Sequence, residues 1–108
     1  MNYTVGYFHR KVKEEIDTWP TGLLAHYGRL IALLSEFGPE LKMPHSKAMG
    51  GGLFELRPHS GEGIGRALYC YIEEKRVVIL HAFVKKTQAA PDREIKTARR
   101  RMKEVKHG

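Results

Sequence analysis

The sequence predicts an α+β fold in which an antiparallel, mixed-edge sheet carries an N-terminal helical hairpin, with elements in the order β-α-α-β-β-β-α. Three observations carry this expectation. Two stretches of helical periodicity follow a short alternating segment at the N-terminus. Three strand-like runs then succeed one another across short polar turns. A final helical stretch follows Pro91. At 108 residues the chain has room for one domain, 1–108, and its 42% hydrophobic content is enough for a core.

Each element has its own signature. In NYTVGYF, residues 2 to 8, Tyr3, Val5 and Tyr7 alternate with Asn2, Thr4 and Gly6, as a half-buried strand requires. From Phe8 the apolar spacing changes to Phe8, Val12, Ile16 and Trp19, which is helical, and WPTG at residues 19 to 22 stops it. Leu23, Leu24, Tyr27, Leu30, Ile31, Leu34 and Phe37 then mark one face of a longer helix, with Thr21 as N-cap and Gly38-Pro39 as its stop. Residues 39 to 52 mix proline, glycine and polar groups without periodicity and are expected to form a loop. LFELRP (53–58), IGRALYCYIEE (64–74) and RVVILHAFVKK (76–86) read as a meander, with a tight turn near Glu74-Lys75. Ile95, Ala98, Met102 and Val105 share one face of the last helix, which Pro91 opens.

Charge is distributed unevenly. Residues 1 to 41 hold four basic and five acidic side chains, and residues 42 to 83 hold six and four. Residues 84 to 108 hold nine and three, so nearly all of the formal +7 lies in the last strand end and the helix after it. Such a concentration is an electrostatic footprint for phosphate or an acidic partner, and Arg93, Lys96 and Arg100 are its candidate nucleic-acid contacts. The lone Cys70, inside ALYCYI, excludes an internal disulfide and reads as a buried thiol. No apolar run is long enough to cross a membrane, and the N-terminus lacks the apolar core of a signal peptide, so a cytoplasmic location is expected. His9, His26, His45 and His107 share no ligand spacing, so neither a metal site nor a cofactor is expected.

Four cations fall where strands or their ends present them: Arg57 closing LFELR, Arg66 inside IGRALY, and Lys85 with Lys86 at the end of the final run. Neighbouring strands lie about 4.8 Å apart, so cations at comparable heights on three strands can converge on one anion. Strand parity puts Lys85 on the face of Phe83, His81 and Ile79, and Lys86 on the face of Val84, Ala82 and Leu80. One of the pair therefore faces the site, and the sequence leaves open which. Arg66 lies among Ile64, Leu68 and Cys70 and needs an acceptor if buried. Tyr69 and Tyr71 lie on the opposite face and read as core, whereas Phe83, beside Lys85, is the candidate for stacking on an RNA base.

The spacing GLFELR, then GRALY, then ILHAFVKKTQ..P..EI, then a basic helix, resembles the HigB-like, phage-derived branch of the RelE/ParE toxin superfamily across nearly the whole chain. The resemblance implies a RelE-like fold and the toxin of a type II toxin–antitoxin pair that cleaves messenger RNA on the ribosome. It implies as partner a helical, helix-turn-helix antitoxin, with assembly into a higher-order toxin–antitoxin complex. In the mechanism attributed to the family, the 2′-OH of the RNA attacks the adjacent phosphorus without metal. The protein aligns the oxygens, neutralises the transition state and moves two protons. Arg57 and Arg66 suit phosphate clamping, and Lys85 or Lys86, crowded by cations, suits proton transfer. RelE's catalytic tyrosine has no counterpart in TQAAPDREI, and the lysines that precede its LR pair are replaced by Phe54 and Glu55. His59 or His81 takes over proton transfer on this reading, as histidines do in other HigB-like members. Two alternatives stay open: a ParE-like inhibitor of DNA gyrase, and a non-catalytic basic module that binds nucleic acid.

Overall fold

A computed structural model of the chain describes residues 2–85 and 91–107. Its elements are β1 (Thr4–Tyr7), α1 (Arg10–Asp17), α2 (Thr21–Phe37), β2 (Ser46–Gly50), β3 (Leu53–Leu56), β4 (His59–Ser60), β5 (Gly63–Ile72), β6 (Arg76–Val84) and α3 (Asp92–His107), with a 3-10 turn at Gly38–Glu40. The sheet runs β1-β6-β5-β3-β2, and β4 pairs with the start of β5. Only β1 is parallel to its neighbour, in the register Thr4↔Arg76 to Tyr7↔Ile79, so the sheet is antiparallel with one mixed edge. Glu74 and Lys75 both take positive φ, 62° and 57°, in the tight turn that joins β5 to β6.

Two elements depart from the expected order. The segment expected to be a loop contains β2, an edge strand whose Lys47, Ala48 and Gly50 are exposed. It has no apolar alternation because it buries little, and its form is imposed by pairing with β3. The two-residue β4 follows Pro58 and is too short to carry a pattern. The caps also differ. α2 is capped by Pro20 and begins at Thr21, while His9 caps α1, its Nδ1 accepting the Lys11 N–H at 3.1 Å.

The sheet buries both faces. Val12, Ile16 and Trp19 from α1 and the turn after it, and Leu23, Tyr27, Leu30 and Leu34 from α2, pack on Leu56, Ala67, Tyr69, Val77 and Ile79. On the other face Ala98 and Met102 of α3 cover Leu53, Leu68, Cys70, Leu80 and Phe83. Gly65 allows the first layer to close: a Cβ there would stand 2.7 Å from the Trp19 ring. α3 places Asp92 and Glu94 in its first turn and Lys106 and His107 in its last, in the sense its dipole favours. Two of its arginines hold it in place. Arg99 donates to the carbonyls of Met49 and Gly50, and Arg101 donates to the carbonyl of Leu80 at 2.7 Å.

That last contact marks a bulge. Leu68 pairs with His81 and Tyr69 with Ile79, which leaves Leu80 without a direct partner on β5. Strict alternation along β6 therefore fails at this point. Ile79 joins the helical-hairpin face while Leu80 and Phe83 both join the α3 face, and Ala82 returns to the hairpin face. The expected grouping of Ile79 with His81 and Phe83, and of Leu80 with Ala82, is corrected accordingly.

Candidate phosphate site at the end of the sheet

Parity along β3 sends Phe54 and Leu56 to the hairpin face and Leu53, Glu55 and Arg57 to the α3 face. Along β5, Ala67 and Tyr69 face the hairpin, while Leu68 and Cys70, and with them Arg66, face α3. The ladders extend a residue past the strands: the Arg57 N–H donates to the carbonyl of His45, and the Lys85 N–H donates to that of Ile64 at 2.8 Å. These registers bring side chains from four strands to one end of the α3 face. Lys47 stands opposite Glu55, and Arg66 stands opposite Phe83.

Glu55 lies at the centre of this group. It is 4% exposed; one carboxylate oxygen accepts from Arg57 Nη1, and the other lies 3.6 Å from Arg66 Nε. Arg66 is itself 5% exposed and donates from Nη1 to the carbonyl of Gly65 at 2.8 Å. Its Nε is buried without a hydrogen bond among the described residues. Burial holds the Arg66 pKa below its ordinary value, Arg57 acts in the same direction, and Glu55 opposes them. A guanidinium nevertheless stays charged in a protein.

Lys85 lies within the field of the same group. Burial lowers its pKa first, then Arg66, with Arg57 and Lys47 adding to the effect and Glu55 opposing it. Two guanidiniums on one carboxylate, with Lys47 and Lys85 at the same end of the sheet, can receive a phosphodiester, and a lysine of lowered pKa can exchange a proton with it.

Arg57 and Arg66 meet at Glu55 and Lys85 stands at the same end of the sheet, whereas Lys86 lies outside the described residues. His59 goes elsewhere: its backbone N–H donates to His26 Nδ1 at 2.8 Å, and the two rings meet edge to face at 4.8 Å, against α2. Phe83 is 7% exposed in the cluster beneath α3, so its ring offers no open stacking face, contrary to the expectation. His81 bonds through Nε2 to Glu94 and ties β6 to the first turn of α3. Tyr69 is core, its hydroxyl bonded to Ser46, and Cys70 is buried with its thiol pushed up by desolvation. Arg93, Lys96 and Arg100 are exposed at i, i+3 and i+7, one basic stripe along the outside of α3.

Sequence reasoning missed Glu55 and Lys47. The signal for Glu55 was available, since a carboxylate two residues before a strand cation shares its face. Lys47 had none, because its strand is visible only through its partner. Among the described residues no group of three or more His, Cys, Asp or Glu side chains could hold a metal ion. No helix among them is long and apolar enough to cross a membrane.

Comparison with known proteins agrees with this fold. The family described as Phage derived protein Gp49-like (DUF891) matches residues 14–103, a span containing every member of the cationic group. No curated protein matches the chain. Among solved structures, a chain of the crystal structure of the archaeal RelE–RelB complex from Pyrococcus horikoshii OT3 has the same fold, with a TM-score of 0.58. The match covers 82% of this chain and 100% of that one, at 20% identity.

Proposed function

The chain belongs to the phage-derived Gp49-like family, a RelE/HigB-type family of toxins from toxin–antitoxin pairs, and from that premise we propose that it is a ribosome-dependent mRNA endoribonuclease. The observation that carries the proposal is that Arg57 and Arg66 meet at Glu55, with Lys47 opposite Glu55 and Lys85 at the same end of the sheet. Arg57, the partly open guanidinium, holds the scissile phosphodiester and Arg66 adds its charge from its buried position, as the 2′-OH gives up its proton to a solvent water and the 2′-oxygen bonds to phosphorus. The P–O5′ bond breaks, and Lys85, protonated and close to the site, donates to the departing 5′-oxygen. The products are a 2′,3′-cyclic phosphate and a 5′-hydroxyl. The exposed stripe of Arg93, Lys96 and Arg100 supplies non-specific contacts to nucleic-acid backbone.

The ribosome holds the message in the attacking geometry. This chain has few candidate groups for orienting the 2′-OH, and misalignment forfeits a proximity contribution of up to about 7–11 kcal/mol. The RelE–RelB complex supports a cognate antitoxin as partner. A helix-turn-helix protein with an acidic or amphipathic segment would cover the cationic end and the basic helix.

The test incubates purified protein with one synthetic message, with and without programmed ribosomes, and reads the new termini chemically. Cleavage at decoding-site codons only on ribosomes is the expected result. Efficient cutting of naked RNA would remove the ribosome from the mechanism. No cutting in either case, together with inhibition of gyrase supercoiling, would replace the nuclease by the gyrase-directed alternative.

A further inference from the structure

The carboxylate at the centre of the cationic group has no part in the chemistry above, and its setting is unusual. Glu55 is buried, yet its hydrogen bond goes to a cation that is partly open, the Arg57 side chain at 26% exposure, and its second oxygen faces the orphaned Nε of Arg66. A carboxylate beside an incoming phosphate repels it, so it weakens substrate binding. Without it, however, Lys47, Arg57, Arg66 and Lys85 would repel one another, and nothing else among the described residues directs the guanidinium of Arg57. Among the described residues, Arg66 would keep only the carbonyl of Gly65.

We propose that Glu55 is the positioning residue of the phosphate site: it holds Arg57 by a hydrogen bond and faces Arg66 at 3.6 Å, so that one buried carboxylate keeps the two guanidiniums together and turns the remaining N–H donors of Arg57 toward one phosphodiester. The inference rests on the nuclease reading for its kinetic consequence but not for its geometry. Glu55 exchanges no proton and forms no bond to substrate. It takes Nη1 of Arg57, whose side chain is partly open, and leaves the other donors of that guanidinium to the RNA, which is how a fork-shaped cation can serve an internal and an external anion together.

The prediction is that binding and turnover move in opposite directions. Glu55→Gln keeps the shape but removes the negative charge, so programmed ribosomes should bind as well or better while kcat falls about 10²-fold through loss of alignment. Glu55→Asp, shorter by one methylene and still charged, should recover part of kcat. An unchanged kcat in Glu55→Gln, or a loss of kcat matched by an equal rise in KM, would overturn the proposal.

A second measurement needs no variant. In the wild-type protein, side-chain nitrogen NMR should show the Arg57 guanidinium restrained in rotation and the Arg66 Nε–H protected from exchange. Both should persist when a short RNA carrying a 2′-deoxy nucleotide is added. A freely rotating Arg57 guanidinium overturns the bridge whether or not the protein cleaves RNA. Conversely, a restrained Arg57 in a wild-type protein that cuts nothing on ribosomes would keep the bridge and dismiss the nuclease.

Discussion

Replacing Arg66 by Met separates what this residue does for the fold from what it does for RNA. Met retains most of the apolar stem and removes the charge. Deleting one partner of a fully buried ion pair costs about 3–5 kcal/mol, because the other charge is left uncompensated. Here the loss is smaller. Glu55 keeps its bond to Arg57, and the Arg66 Nε to Glu55 separation of 3.6 Å lies beyond a good hydrogen bond. An expected cost of about 1–2 kcal/mol corresponds to a fall in Tm of about 4–8 °C for a domain of this size. Cleavage on programmed ribosomes should drop much further, about 10²–10³-fold, the usual loss when one preorganised donor is removed from a developing anion. Arg66→Lys, which keeps charge without the fork, should fall between the two. The assay pairs thermal unfolding by circular dichroism with ribosomal cleavage well below the variant's Tm. Undiminished cleavage in a folded Arg66→Met protein would refute the clamp and leave Arg66 as a counter-ion for Glu55. A variant unfolded at the assay temperature would show that Arg66 contributes far more to the fold than one weak ion pair does.

Further expectations follow from other contacts. The Lys85 pKa lies below its ordinary 10.5, and the donor must be protonated. Cleavage should therefore hold at neutral pH and fall as pH rises through a midpoint below that value, a limb that Lys85→Ala abolishes in a pH–rate profile. Gly65→Ala would bring a methyl group to 2.7 and 2.9 Å from two Trp19 ring carbons. It should destabilise by about 1–3 kcal/mol in urea unfolding. His26 accepts the His59 N–H through Nδ1, and burial, followed by His59, lowers its pKa below the ordinary 6.5. The unfolded chain then takes up this proton first. The His26 contribution to stability is thus full above about pH 6.5 and is lost as pH falls toward the lower folded value. Arg29 and His45 lower the His26 pKa in the same direction. His26→Asn, which can keep an acceptor near the Nδ1 position, should flatten that part of the Tm-against-pH curve; an unchanged slope would dissociate it from His26.

What the sequence determined by itself is whatever depends on local periodicity and chain-neighbour chemistry. The 3.6-residue spacing of Val12, Ile16 and Leu23 to Leu34 specified two helices because each has one face to bury, and those faces are the ones buried. The alternation at Tyr3, Val5 and Tyr7, the turn at Glu74-Lys75 and the basic terminal helix were legible for the same reason. So was the placing of Arg57, Arg66 and Lys85 at one end of the sheet, since neighbouring strands in a meander bring their ends together. Tertiary structure decided the rest. β2 exists because β3 offers it a ladder, and a strand that buries almost nothing writes no pattern. The bulge at Leu80 arises between strands and is held by Arg101 from α3, far along the chain, so parity counted from the sequence put Ile79 on the wrong face. His59 turned to His26, and Phe83 sank under α3, because burial and pairing with distant elements set where a side chain ends. Glu55 became the centre of the site for the same physical reason: a carboxylate in a strand is unremarkable until neighbouring strands surround it with cations.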